Sequence, residues 1–197
     1  MQKKKEYRSN QERSDKTRDA LLSAARTLFA NKGYAETSTP EIAAAATITR
    51  GALYHHFKDK RELFRAVLER EAHAVADEIE AVTPSGLPAR QALIAGSEAY
   101  LDAMTVPGRT RLLLIEGPVV LGRAEMIALD EANAARTLYE GLEAAMTDSG
   151  RMDFRPSVLA ILLSAAFDRA AEAIENGADP AEFKSAMAGI IERVLRS

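Results

Sequence analysis

The sequence predicts an all-α protein, and three observations carry that prediction. Apolar residues recur at helical spacing in segment after segment, and no stretch of useful length alternates with the period of a strand. Alanine, the strongest helix former, is the commonest residue. Clusters such as Pro84-Ser85-Gly86-Leu87-Pro88, Pro107-Gly108 and Gly117-Pro118 read as breaks between helices, while 11 glycines and 7 prolines in all are too few for a collagen-like or low-complexity chain. With 197 residues, 47% of them apolar, and a net charge of -3, the chain is long and apolar enough to bury a core and does not have the composition of a disordered polypeptide. The absence of cysteine excludes a disulfide scaffold, a thiolate metal site and a thiol nucleophile.

Each element follows from local signals. Residues 1–12 are charged and offer little to pack, so they read as a flexible basic arm, solvated or reaching toward a partner through Lys3, Lys4 and Lys5. From Asp15 to Lys32, Leu21, Ala25, Leu28 and Phe29 form one helical face, which Gly33 ends. Ser38-Thr39-Pro40-Glu41 reads as a capping box with proline in the first turn, opening a short helix through Ile42 and the alanines that follow. After a break at residues 46–49, Thr49 caps a third helix over Arg50–His56. Asp59 caps a fourth, residues 61–79, with Leu63, Phe64, Val67 and Leu68 on one face.

The cluster Pro84-Ser85-Gly86-Leu87-Pro88 is the clearest turn in the chain. Beyond it the spacing predicts helices over residues 89–104, 109–116 (ending near Gly117-Pro118), 122–147, 156–175 and 180–196, about nine in total. The last is separated from its predecessor by Asn176-Gly177-Ala178-Asp179. No run approaches the ~20 apolar residues of a membrane span, and the charged start does not read as a secretory signal. A cytoplasmic protein with no membrane partner is therefore expected.

The charge is unevenly distributed. Residues 1–60 carry 12 Lys and Arg against 7 Asp and Glu, whereas the remainder carries 14 against 22. A basic front on an acidic body is the pattern of a protein whose first part meets a polyanion. The two short helices inside residues 38–56 have the dimensions of a helix-turn-helix. Ile42, Ala43, Ile48 and Leu53 suit its core, leaving Thr49, Arg50, Ala52, Tyr54 and His55 to point outward, a surface that suits a major groove. His56 and Phe57 read as packing residues.

The run from Thr37-Ser38 through Glu41-Ile42-Ala43, Ala46-Thr47-Ile48-Thr49-Arg50-Gly51-Ala52-Leu53-Tyr54-His55-His56-Phe57 to Lys58-Asp59-Lys60, preceded by Leu28-Phe29 and Gly33-Tyr34, resembles the amino-terminal domain of TetR-family transcriptional regulators of the TetR/AcrR kind. The likeness covers residues 13–65 and departs at Thr47, where the family usually has a glycine able to take a positive φ. The resemblance implies phosphate contacts from Thr37, Ser38 and Thr49, base-edge reading by Arg50, close approach at Gly51, and a thymine-methyl contact from Ala52. It also implies phosphate or base contacts from Tyr54 and His55, and a phosphate anchor at Lys60. The domains so implied are the arm at 1–12, a DNA-binding domain at 13–60, and a ligand-binding and dimerisation domain at 61–197 joined through helix 61–79.

For the second domain the resemblance implies a small-molecule effector and a homodimer. Tyr100, Met104, Arg111, Leu114, Glu116, Met126, Tyr139 and Phe167 have the composition of a pocket lining, and equally of a helical core. The last two helices are apolar around much of their circumference, which suits a four-helix interface between two copies or a purely internal core. Leu159, Leu162, Ala166, Ala170, Phe183, Met187, Ile190, Ile191 and Val194 are the expected interface residues. An enzyme is disfavoured. The three histidines, at positions 55, 56 and 73, make no Glu-x-x-His pair, and the phosphate-loop, zinc-protease and serine-elbow motifs are absent. No cofactor and no metal is expected. The reading is a ligand-released repressor that binds a palindromic operator on double-stranded DNA as a homodimer.

Overall fold

The structure, a computed structural model, describes residues 2–150 and 153–196, with side chains described from residue 11 onward. Among the described residues the chain forms ten α-helices and one π-helical segment, and no strand. It divides into two compact units, residues 1–69 and 70–197, so the boundary falls nine residues beyond the one expected at residue 60, inside a helix.

The first unit begins with α1 (Gln2–Glu36), which starts within the segment expected to be an arm and is broken at Gly33 by φ 83°, ψ 167°. The side chains of Lys3, Lys4 and Lys5 lie outside the described residues. Helix α2 (Thr39–Ala45) is capped by Ser38, whose hydroxyl accepts from the Glu41 N–H at 3.4 Å, while the Glu41 carboxylate turns to Lys32. Helix α3 (Arg50–His56) is capped by Thr49, which accepts from the Ala52 N–H at 3.2 Å. Asp59 accepts from the Glu62 N–H at 2.8 Å, and Glu62 accepts from the Lys58 N–H at 2.5 Å. This reciprocal pair starts α4 (Lys60–Ala81). Leu21, Phe29, Ile42, Leu53, Phe57, Leu63 and Phe64 are fully buried, and Phe29 meets Phe64 edge-on with ring centroids 5.0 Å apart. The Arg18 guanidinium covers the Phe57 ring at 4.6 Å.

The turn between α2 and α3 is a Schellman motif. The Ile48 N–H donates to Ala43 O at 2.9 Å and the Thr47 N–H to Ala44 O at 3.0 Å. Thr47 takes φ 58°, the only positive φ at a non-glycine position among the described residues. The departure from glycine seen in the sequence therefore falls on the residue that needs glycine's freedom.

In the second unit α5 (Ala89–Met104), α8 (Ala134–Ser149), α9 (Pro156–Glu175) and α10 (Pro180–Leu195) pack on one another around Leu101, Leu142, Met146, Phe167 and Ile191. At Gly141 a Cβ would stand 3.0 Å from Leu93 Cδ1, so the missing side chain lets α8 close on α5.

Two elements differ from expectation. Residues 111–116 are π-helical and lead directly into α6 (Gly117–Val120), rather than ending before Gly117. The Gly117 N–H reaches Leu112 O, five residues back. Pro118 has no N–H to give to Leu114, and the wider turn accommodates that gap. The helix expected over 122–147 is two, α7 (Arg123–Glu131) and α8, separated at Asn133 by φ -130°, ψ -110°. Asn133 is buried, and its side-chain amide donates to Leu129 O at 2.7 Å, a local bond that competes with the helix ladder.

Candidate nucleic-acid interface and effector cavity

In the first unit, α3 presents an exposed surface formed by Thr49, Arg50, Gly51, Tyr54 and His55, with Ala52 half-buried beside them. Ser38 is exposed at the start of α2. The Tyr54 hydroxyl lies 2.9 Å from Thr39 Oγ1, tying α3 to the first residue of α2. Hydrogen bonds from Thr39 and then Arg50 hold the Tyr54 phenol below its ordinary pKa. His56 is half-buried and Phe57 buried, as their packing role requires. Burial, then the neighbouring His55, lowers the His56 pKa.

Two expected phosphate contacts are placed differently. Thr37 is 1% exposed, and its hydroxyl donates to Gly33 O at 2.8 Å, so it closes the kink in α1 and presents no hydroxyl to solvent. Lys60 is half-buried. Its ammonium donates to Tyr34 O at 2.8 Å and Thr37 O at 3.0 Å and sits 4.1 Å from the centre of the Tyr34 ring. It is a clasp between α4 and the α1–α2 junction.

In the second unit two cavities share the lining residues Tyr100, Asp130 and Ala134. The first, about 280 Å³, has Ile79, Leu93, Leu138 and Phe167 in its wall. The second, about 340 Å³, is walled by Ala72 and Val75 of α4 together with Met104, Leu113, Leu114 and Met126. Of the expected lining residues, Tyr100, Met104, Leu114, Met126 and Phe167 are therefore brought to the cavities. Arg111, Glu116 and Tyr139 are not. Arg111 pairs with Glu116 at 2.9 Å, and the Tyr139 hydroxyl donates to Glu143 at 2.7 Å. The sequence reading missed Asp130 and Asp168. Tyr100 donates to Asp168 Oδ1 at 2.7 Å and Ser164 to Asp130 Oδ2 at 3.2 Å. Burial raises the Asp168 pKa to about 6 and also raises that of Asp130.

A family model for bacterial regulatory proteins of the tetR family matches residues 21–67, and one for the tetracyclin repressor-like C-terminal domain matches residues 90–197. The second alone covers more than half of the chain. The chain belongs to the TetR family.

This TetR-family protein is 30% identical over 164 residues to the transcriptional activator FasR of Mycolicibacterium smegmatis, across 73% of this chain and 75% of FasR. A TetR-family regulator from Pectobacterium atrosepticum has the same fold, with TM-score 0.68 and 29% identity over 94% of this chain and 95% of that one. The regulator FadR of Bacillus subtilis, solved in complex with stearoyl-CoA, shares the fold with TM-score 0.75 at 12% identity, covering 87% of this chain and 96% of FadR. The protein is thus a helix-turn-helix transcriptional regulator whose second unit is the family's C-terminal domain.

That C-terminal domain also carries an exposed apolar stripe. Val158, Ile161 and Leu162 on α9 are 49%, 71% and 62% exposed, and Ile190 on α10 is 42% exposed. The expected interface list is divided by the structure. Leu162 and Ile190 face outward, and Ala166, Phe183 and Val194 are half-buried. Leu159, Ala170, Met187 and Ile191 belong to the chain's own core, so they are not the surface a partner would meet. The alternation of inward and outward positions on one helix explains this split, since a helix apolar all round gives no sequence signal for which side faces home.

Proposed function

We propose that the protein is a repressor that binds a palindromic operator as a homodimer and is released when a small molecule fills the cavities of its second unit. The observation that carries this reading is the course of α4. It is one helix from Lys60, directly after the exposed α3, to Ala81, and Ala72 and Val75 on it wall the larger cavity. A ligand there touches the helix that continues from the DNA-reading unit. A dimer must place its two recognition helices about one turn of DNA apart, so a small movement of α4 is enough to prevent simultaneous docking.

In this reading Arg50 reads a base edge, Ser38 and Thr49 hold phosphates, and Tyr54 and His55 flank the groove. The stripe of Val158, Ile161, Leu162 and Ile190 supports the dimer, because such a row of large apolar side chains on adjoining helices is what a two-fold partner would bury.

Footprinting on the DNA upstream of the protein's own coding sequence, combined with light scattering, tests this. The expected result is a protected palindrome bound by a dimer, with reporter expression rising when the protein is deleted. Absence of DNA binding at low salt would overturn the reading. A fall in reporter expression on deletion would make the protein an activator, as FasR is named.

A further inference from the structure

The larger cavity has apolar walls and a lining in which carboxylates outnumber cations. Asp130, at the end of α7, accepts from the Ser164 hydroxyl and from the backbone of Ala135. Asp168, on α9, accepts from the Tyr100 hydroxyl. Neither carboxylate has a lysine or arginine partner among the described residues, both line this cavity, and the Asp130 charge helps to raise the Asp168 pKa. Two other charged groups line this cavity. Glu172 adds a third carboxylate and is held by Arg169 at 2.7 Å, and Arg123 is exposed. Among the described residues no group of three or more His, Asp or Glu side chains is arranged to hold a metal ion.

Two half-buried carboxylates without a lysine or arginine hydrogen-bonded to them gain most from a ligand that brings a positive charge with N–H donors. The hydroxyl of Tyr100 holds Asp168 and that of Ser164 holds Asp130 in a fixed orientation, and a carboxylate has lone pairs enough to accept from a ligand beside these bonds. The walls of Met104, Leu113, Leu114 and Met126 require an apolar body, and methionine tolerates bodies of varied shape.

We propose that the effector is an amphiphilic amine, its apolar body against the methionine and leucine walls of the larger cavity and its ammonium between Asp130 and Asp168. This deepens the effector-released regulator proposed above and rests on it. An anionic amphiphile such as a free fatty acid is disfavoured at this place, because its carboxylate would meet two others.

Calorimetry on the full chain with phenylbutylamine, phenylbutanol and phenylbutyrate, three probes of matched body, tests the proposal. The amine is expected to bind about tenfold more tightly than the alcohol or the acid. In the Asp130→Asn/Asp168→Asn double variant that preference is expected to fall to within about twofold. The two single variants, each isosteric, give intermediate preferences and guard against a double variant that does not fold. Equal or tighter binding of the alcohol or the acid, no binding of the amine, or a preference that survives both substitutions would overturn the proposal. A gel shift on the same preparation separates the two readings. DNA binding without amine preference sinks the amine and leaves the regulator, whereas amine preference without DNA binding does the reverse.

Discussion

The ammonium of Lys60 is hydrogen-bonded to the main-chain carbonyl of Thr37, 3.0 Å away, and this contact converts an expected DNA anchor into a structural one. A second bond to Tyr34 O at 2.8 Å leaves the ammonium stitched to the α1–α2 junction. Lys60→Met keeps the stem and removes the charge, so two carbonyls lose their donor. The expected outcome is a loss of about 1–3 kcal/mol in urea denaturation. DNA affinity, measured against salt, should keep its slope. A slope reduced by about one would return Lys60 to the phosphate backbone.

Thr47 and Gly177 occupy the same place in two Schellman motifs. After α9, Gly177 donates to Ile174 O and Ala178 to Ala173 O, the pattern that Thr47 and Ile48 make after α2. Gly177 has φ 96° and Thr47 φ 58°. A β-branched residue in the left-handed region is strained, by about 1–2 kcal/mol. Part of any relief is offset by the greater freedom of an unfolded glycine. Thr47→Gly is therefore expected to stabilise the first unit by about 0.5–1 kcal/mol. Thr47→Ala keeps a side chain and should gain much less. Denaturant midpoints of the two variants check this, and a destabilised Thr47→Gly would refute it.

Gly51 is open to substitution and would nevertheless be needed. A Cβ there meets nothing within 4 Å, and the position is exposed in the first turn of α3. Gly51→Ala is expected to raise stability by about 0.5–1 kcal/mol and to weaken operator binding, because the added methyl stands where α3 would approach the groove. A more stable variant with unchanged affinity would remove Gly51 from the interface.

The first unit was legible because its signals are local. Ser38, Thr49 and Asp59 announce three helix starts by chemistry that acts within three residues, and all three side chains make the capping bonds expected of them. The second unit was legible only as helices. Met104 facing a cavity and Leu101 facing the core have the same kind of side chain, and only packing separates them. Asp130 and Asp168 went unnoticed because lone aspartates on amphipathic helices usually mark a solvated face. The break at Asn133 was hidden between good helix formers. The burial of Thr37 and Lys60 depends on a contact across 23 residues, which no local pattern announces.

Arg109, 5% exposed, is the guanidinium that the sequence reading overlooked. It donates to Glu71 at 3.2 Å, to Glu78 at 2.9 Å and to Ala103 O at 2.7 Å, fastening the segment after α5 to α4. Arg109→Met leaves the buried Glu71 carboxylate without its guanidinium and should cost about 3–5 kcal/mol in denaturant unfolding. Adding Glu71→Gln is expected to recover part of that loss, since the two sites share one interaction. Strict additivity in the double-mutant cycle would deny the coupling.

Asp168 gives the second unit a pH dependence of a defined sign. Its pKa is about 6, raised from the ordinary 3.8 first by burial and then by Asp130 and Glu172, while the Tyr100 hydrogen bond pulls it down. Arg123 lines the same cavity. Because the folded state holds the proton more tightly than the unfolded state, this group lowers stability as pH rises from about 4 to 6 and leaves it lowered above that range. Asp168→Asn keeps the acceptor for Tyr100 and removes the charge. At pH 7 the variant should be more stable than the parent by about 1–3 kcal/mol. The difference should shrink toward zero near pH 4, where both forms are neutral. Thermal unfolding of parent and variant across that range decides it. A variant less stable than the parent at pH 7, or a difference that does not change with pH, would mean that Asp168 titrates as an ordinary carboxylate.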